Sequence, residues 1–220
     1  MGLTLNYELR LPPSVSRESA AAKLRELHGF AATLPFEKLS SLLLDDGENF
    51  CTDGDWREAL RFWASIVARP CENDAPALTG DPNSAMGFFV HPGQGCETAC
   101  FALLRRLDAT GEKADWFWYC CCKTQYASTV SEAHFVACHT SLVQMLEHAV
   151  ACGIDVVVSD EAQYWETRDE ALLVANVREM NRMVARFAGR LSDVLGDAHD
   201  VRASIFNHPR FERLEMGDGE

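Results

Sequence analysis

The stretch Trp116-Phe117-Trp118-Tyr119-Cys120-Cys121-Cys122-Lys123-Thr124-Gln125-Tyr126 decides the fold reading. Side chains of a strand alternate between two faces. Trp116, Trp118, Cys120, Cys122 and Thr124 therefore share one side, and Phe117, Tyr119, Cys121, Lys123 and Gln125 the other. Both sets begin apolar, which predicts a central strand covered on two faces. Lys123 and Gln125 then place a charge and an amide at the end of a buried strand, which suits either a ligand cleft or a strand that simply emerges into solvent there.

Downstream, Thr129 and Glu132 have the spacing of a capping box, in which each side chain satisfies a free amide of the first turn. The helix they open runs to Cys152, with Gly153 as its left-handed cap. At about 100° per residue, Phe135, Leu142, Leu146, Ala149 and Val150 form one apolar stripe. His139 falls inside that stripe, Cys138 lies at its edge, and His134 and His148 point elsewhere. His139 is thus predicted buried, either as a core histidine bonded to backbone or as a base, donor or metal ligand facing the strand. Ile154 to Ser159 reads as a strand. Asp160-Glu161 with Tyr164 and Trp165 puts carboxylates beside aromatic surface just past its end. That arrangement suits a cationic or sugar-like ligand, or an acidic turn with aromatics folded inward. Thr167 and Glu170 form a further capping box. It opens a long helix through Leu173, Val177, Met180, Val184, Phe187, Leu191 and Val194 that closes near Gly196. Val201 to Phe206 reads as a last strand.

Upstream, Leu3, Leu5, Tyr7, Leu9 and Leu11 alternate with polar residues as in a half-buried strand, and Pro12-Pro13 stops it. Ser16 to Thr33 reads as a helix and Phe36 to Leu44 as a strand ended by Asp45-Asp46-Gly47-Glu48. Asp55 with Glu58 starts a helix through Ala68, and Cys71 to Ser84 has the composition of a connecting loop. Met86 to Val90 and Cys100 to Arg106 flank a Pro92-Gly93-Gln94-Gly95 turn, a hairpin whose amides offer an anion cradle. Both halves thus read strand, helix, strand, helix, strand, with an extra strand in the first. The expected fold class is α+β, with two pseudo-repeated strand-helix-strand lobes, broadly ferredoxin-like, and a mixed sheet covered by helices. The chain is expected to form a single globular unit, 1–220, with lobes 1–84 and 85–220.

The chain has 20 basic and 33 acidic side chains, a net charge of −13, without a dense Lys/Arg cluster. Nucleic acid and membrane surfaces are therefore excluded as partners. A small molecule or a second copy of the chain, forming a homodimer, remains. No apolar run approaches the roughly 18 residues that span a bilayer. There are nine cysteines, three of them adjacent, and Met1 to Tyr7 lacks the pattern of a secretory leader. Reduced thiols without disulfides in a cytoplasm are expected.

Cys96-Glu97-Thr98-Ala99-Cys100 fits the outer limit of a zinc pair, but no clean second pair exists. The expectation is no metal and no cofactor, the alternative ligand set being Cys96, Cys100, Cys138 and His139. A thiolate at Cys120 or Cys122 with His139 as its base is the enzymatic form of the same cluster. Phosphate loops, dinucleotide fingerprints and the common hydrolase and metalloprotease motifs are absent. The candidate ligand-binding residues are Lys123, Gln125, Tyr126, His139, Asp160, Glu161 and Trp165. The functional expectation is small-molecule binding or catalysis at a Lys/Gln/His cleft. Its alternative is a non-catalytic interaction or scaffold protein.

Several phrases carry a resemblance. They are Gly95-Cys96-Glu97, Cys122-Lys123-Thr124-Gln125-Tyr126-Ala127-Ser128, His134-Phe135 with Cys138-His139, Asp160-Glu161 with Tyr164-Trp165-Glu166, Arg168-Asp169 and Phe211-Glu212-Arg213-Leu214-Glu215. Together they resemble a family of uncharacterised bacterial proteins of similar length. The likeness spans most of the chain, and Lys123 to Ser128 is its most specific part. It implies a bacterial cytosolic protein and brings no activity, cofactor or catalytic residue with it.

Overall fold

Strict alternation near the start of the chain makes β1, Thr4–Leu11, with Leu5, Tyr7, Leu9 and Leu11 buried and Arg10 exposed. The computed structural model describes residues 3–44, 54–67, 79–80, 84–107 and 110–195, together with Ile205, Phe211 and Leu214. After Pro12-Pro13, the Ser16 hydroxyl accepts from the Ser19 amide (3.2 Å) and caps α1, Arg17–Ala31. Then come β2 (Lys38–Leu39), α2 (Gly54–Val67), β3 (Thr79–Gly80), β4 (Met86–His91), β5 (Ala99–Leu107) and β6 (Lys113–Lys123). A 3₁₀ turn (Gln125–Thr129), α3 (Glu132–Ala151), β7 (Asp155–Asp160), α4 (Tyr164–Thr167) and α5 (Glu170–Leu195) complete the order.

The fold is mixed α and β. Its strands lie in the order β2-β4-β5-β6-β1-β7, with β3 on β5. Every recorded pairing is antiparallel, so the sheet is not mixed as the sequence reading expected. β6 and β7 both pair with β1, so they run parallel to each other and α3 crosses over β1 between them. Strands from 1–84 and 85–220 thereby interleave in one sheet.

Leu5, Tyr7 and Leu9 of β1 and Trp116, Trp118 and Cys122 of β6 share a core with Leu24 and Leu27 of α1 and Leu142, Met145, Leu146 and Ala149 of α3. The opposite face of β6 is not covered by helices, a second correction: Tyr119 is 44% exposed, and Val157 on β7 is 49% exposed. Phe117 on that face is shielded by cations from neighbouring strands. The guanidinium carbons of Arg10 and Arg106 lie 5.7 and 4.2 Å from its ring centre. Arg106 is held there by a two-pronged bond to Asp115 at 2.7 and 2.6 Å.

Helix starts also differ from expectation. Ser131, not Thr129, caps α3, its hydroxyl accepting from the His134 amide at 3.0 Å. Thr129 lies two residues too early and instead donates to the Tyr126 carbonyl (2.7 Å) inside the 3₁₀ turn. Asp169 caps α5 by accepting from Ala171 and Leu172 at 2.8 and 3.1 Å, whereas the Thr167 hydroxyl donates to Gln163. Gly153, at φ 74°, closes α3 as its position predicted. The strand expected over Phe36 to Leu44 shrinks to β2 and a single bridge between Leu43 and Gly87. The Asp55 side chain, the Asp45 to Glu48 turn and most of Cys71 to Ser84 lie outside the described residues. So does most of Val201 to Phe206, of which Ile205 is buried against Val184, Ala185 and Ala188. Among the described residues, no helix is long and apolar enough to cross a membrane.

Replacing Ser131 by Ala is expected to cost about 1 kcal/mol through the lost cap. A urea titration checks this as a lowered midpoint with unchanged slope.

Candidate functional site

The site is built where β6 ends. Lys123 donates its amide to Glu97 Oε2 (3.0 Å), and Glu97 donates its own to the Lys123 carbonyl (2.9 Å), so the Pro92–Glu97 turn is clasped to the strand end. Gly95 stands at φ 85°, and a Cβ there would lie 2.4 Å from the Tyr126 carbonyl oxygen. Only glycine allows this approach. A cleft of about 810 Å³ lies between Gln94, Gly95, Cys96 and Glu97 on one wall and Lys123, Tyr126, Thr129 and Val130 on the other. Its volume is that of a small-molecule site. Lys123 is the cation among these lining residues and Glu97 the anion.

Behind the cleft, α3 carries His139 fully buried. Its Nδ1 is 2.9 Å from Thr124 Oγ1 and its Nε2 is 3.1 Å from Asp160 Oδ2. A carboxylate can only accept, so Nε2 carries the proton. Asp160 also accepts from the amides of Ala162 (2.8 Å) and Trp165 (2.9 Å). Burial alone would raise the Asp160 carboxyl pKa, but His139 and the two amides outweigh it and hold the group below the ordinary carboxylate range. Hydroxyl, imidazole and carboxylate stand in the order of a nucleophile relay. Thr124 and His139 have 0% exposure, however, so no substrate reaches the hydroxyl. Such burial suits a relay that positions the strand ends.

A second buried network fixes the 3₁₀ turn. Gln125 accepts from the Leu3 amide (3.1 Å) and donates to Asn181 Oδ1 (2.9 Å). Asn181 donates to Ser128 Oγ (2.9 Å), which donates to the Gln125 carbonyl (2.6 Å). The start of β1, the turn and α5 are thereby joined with their buried polar groups satisfied.

Of the thiols, Cys96 lines the cleft and donates a hydrogen bond to Cys138, which lowers the Cys138 pKa against burial and raises that of Cys96. The cleft-facing sulfur is thus the protonated partner, which disfavours it as a nucleophile. Cys138 Sγ is also 3.6 Å from His134 Nε2, itself 3.0 Å from the Gln94 carbonyl. Burial pushes Cys120 up to about 11 and raises Cys122 well above its ordinary value. Cys122 donates to the Glu97 carbonyl (3.1 Å). With both nitrogens of His139 on oxygen, neither strand thiol pairs with it, which corrects that enzymatic expectation. The zinc alternative is likewise dispersed. Cys100 lies beside Tyr7 and Cys120, whereas His139 is committed to Thr124 and Asp160, leaving only Cys96 and Cys138 together.

The seven candidate residues divide. Lys123 and Tyr126 line the cleft, while Gln125, His139 and Asp160 are buried in the networks behind it. Glu161 is exposed and accepts from the Thr4 amide at 2.8 Å. Trp165 is half-buried, and the guanidinium carbon of Arg168 lies 4.7 Å from its ring centre. Arg168 is itself bonded to Glu147 (2.9 Å). The cation over this aromatic surface belongs to the chain itself. Thr124, Ser128 and Asn181 were missed. Asn181, four residues after Val177 and three before Val184, takes the buried position that the sequence reading gave to Met180.

Replacing Asp160 by Asn is expected to cost about 1–3 kcal/mol, the usual loss when buried donors lose part of their acceptor. The folded carboxyl is more acidic than the unfolded one, near 3.9. Its contribution is therefore complete above that range and lost as pH falls through the folded value. Denaturation between neutral pH and pH about 3 checks this: the variant should lose less stability on acidification than the parent.

No family model matches the chain, and neither a curated protein nor a solved structure does.

Proposed function

We propose that the protein binds a small anion-bearing molecule in the cleft between the Pro92–Glu97 turn and the Lys123–Val130 segment. The observation that carries this reading is Lys123, held at the rim of a cleft of small-molecule size by backbone bonds that fix its position. Lys123 supplies the charge-assisted bond to a carboxylate or phosphate. Tyr126 and Val130 supply apolar wall, and Glu97 selects for a ligand that also carries a donor. His139, Asp160, Thr124 and Gln125 hold the walls.

The connectivity β1-α1-β5-β6-α3-β7, with strands ordered β7-β1-β6-β5, supports reading this part of the chain as broadly ferredoxin-like, in one body. The described cysteines are free thiols, which supports a reducing, cytoplasmic setting. A second reading, an interaction protein acting through a surface or a homodimer, has one observation in its favour. Phe62, Trp63 and Ile66 of α2 are 61%, 44% and 42% exposed.

Calorimetric titration with a panel of small carboxylates and phosphate esters tests the first reading. Replacing Lys123 by Ala should weaken the binding found by roughly tenfold or more, the worth of a hydrogen bond to a charged group. Equal affinity for parent and variant would contradict it, and so would failure of every such ligand to bind.

A further inference from the structure

We propose that Glu26, His148 and Cys152 form a binding site for a zinc-type divalent transition metal, seated between α1 and α3. One ligand atom from each lies within 4.8 Å of the others, the one such His/Cys/Asp/Glu group among the described residues. The site is independent of the cleft.

The two helices build it by the same spacing. His148 and Cys152 are four residues apart at the C-terminal end of α3, so they lie one above the other on one face. Glu26 and Phe30, also four apart, occupy the facing stripe of α1. The Phe30 ring stacks on the His148 imidazole, with centroids 4.0 Å apart and planes 14° from parallel, which fixes the direction of the ring nitrogens. Cys152 is buried, His148 half-buried and Glu26 exposed. The group therefore has a closed side and an open one, leaving a fourth position for water.

Thiolate, imidazole and carboxylate together suit zinc or cobalt rather than calcium or magnesium, which take oxygen ligands. Binding breaks the S–H bond, forms the S–metal bond and releases the proton to solvent, with no change of oxidation state. The thiolate and carboxylate supply two negative charges against the two positive charges of the ion. Lys23 Nζ donates to the Cys152 carbonyl oxygen, which places an ammonium beside the thiol. A cation this close moderates the affinity for a second one. A bound ion would clamp together the two helices that cover the sheet.

Cobalt(II) titration of the whole protein tests the site. The parent should take up one equivalent with a thiolate-to-cobalt charge-transfer band. That band should persist when Cys96 and Cys138 are both replaced by Ser and vanish in Cys152→Ser. Glu26→Gln, at an exposed position that does not threaten folding, should weaken cobalt binding by about tenfold or more. The proposal is overturned if the parent shows no such band, if Cys152→Ser retains it, or if Glu26→Gln binds as the parent does. Should Cys152→Ser not fold, the Glu26→Gln comparison decides.

Discussion

One buried imidazole joins three distant parts of the chain. His139 bonds Thr124 at the end of β6 and Asp160 at the end of β7, and is itself carried by α3. Because β6 and β7 are not neighbours in the sheet, with β1 between them, no backbone ladder connects their ends directly. The side-chain relay does so across the top of β1. Asp160 then accepts two further amides, those of Ala162 and Trp165, and so sets the turn into α4. Removing the histidine would leave a buried carboxylate with two amides and without its imidazole partner, the costly state for a buried charge.

The cleft depends on this arrangement. Lys123 precedes Thr124 and Gln125 follows it, and both of those neighbours are fully buried and bonded. The wall of the cleft is therefore one residue away from two closed polar networks. A rigid support of this kind keeps a lysine in place without spending binding energy on ordering it. The facing wall is fixed differently, by the glycine at position 95, whose backbone touches the Tyr126 carbonyl region.

Local chemistry made much of this legible in the sequence. Alternation from Leu3 to Leu11 marked β1, and the helical stripe of Phe135, Leu142 and Leu146 marked His139 as buried. What local pattern could not carry was partnership between distant residues. Phe117 and Tyr119 look like the inward residues of a second covered face. The arginines that shield Phe117 come from β1 and β5 through strand pairing. Gln125 reads as a ligand group at a strand end, but its partners are Leu3 and Asn181, 122 and 56 residues away. Asp160 and Trp165 read either as a platform for a ligand or as an acidic turn with its aromatics folded inward, and Trp165 packs against the core as in the second reading. The carboxylate is spent on His139, and the ring is covered by Arg168. The capping boxes failed for a narrower reason: two residues with capping side chains stood near each helix start, and the one adjacent to the first turn took the role.

The central claim is that His139 is a closed positioning node rather than a reacting base. The Nε2 proton of His139, followed by nitrogen-15 NMR under exchange with solvent, tests this most directly. A proton that stays on Nε2, bonded to Asp160 and protected until the molecule unfolds, is the result expected of a buried node. An Nε2 proton that exchanges rapidly in the folded protein would mean that solvent and substrate reach the ring, and would contradict it.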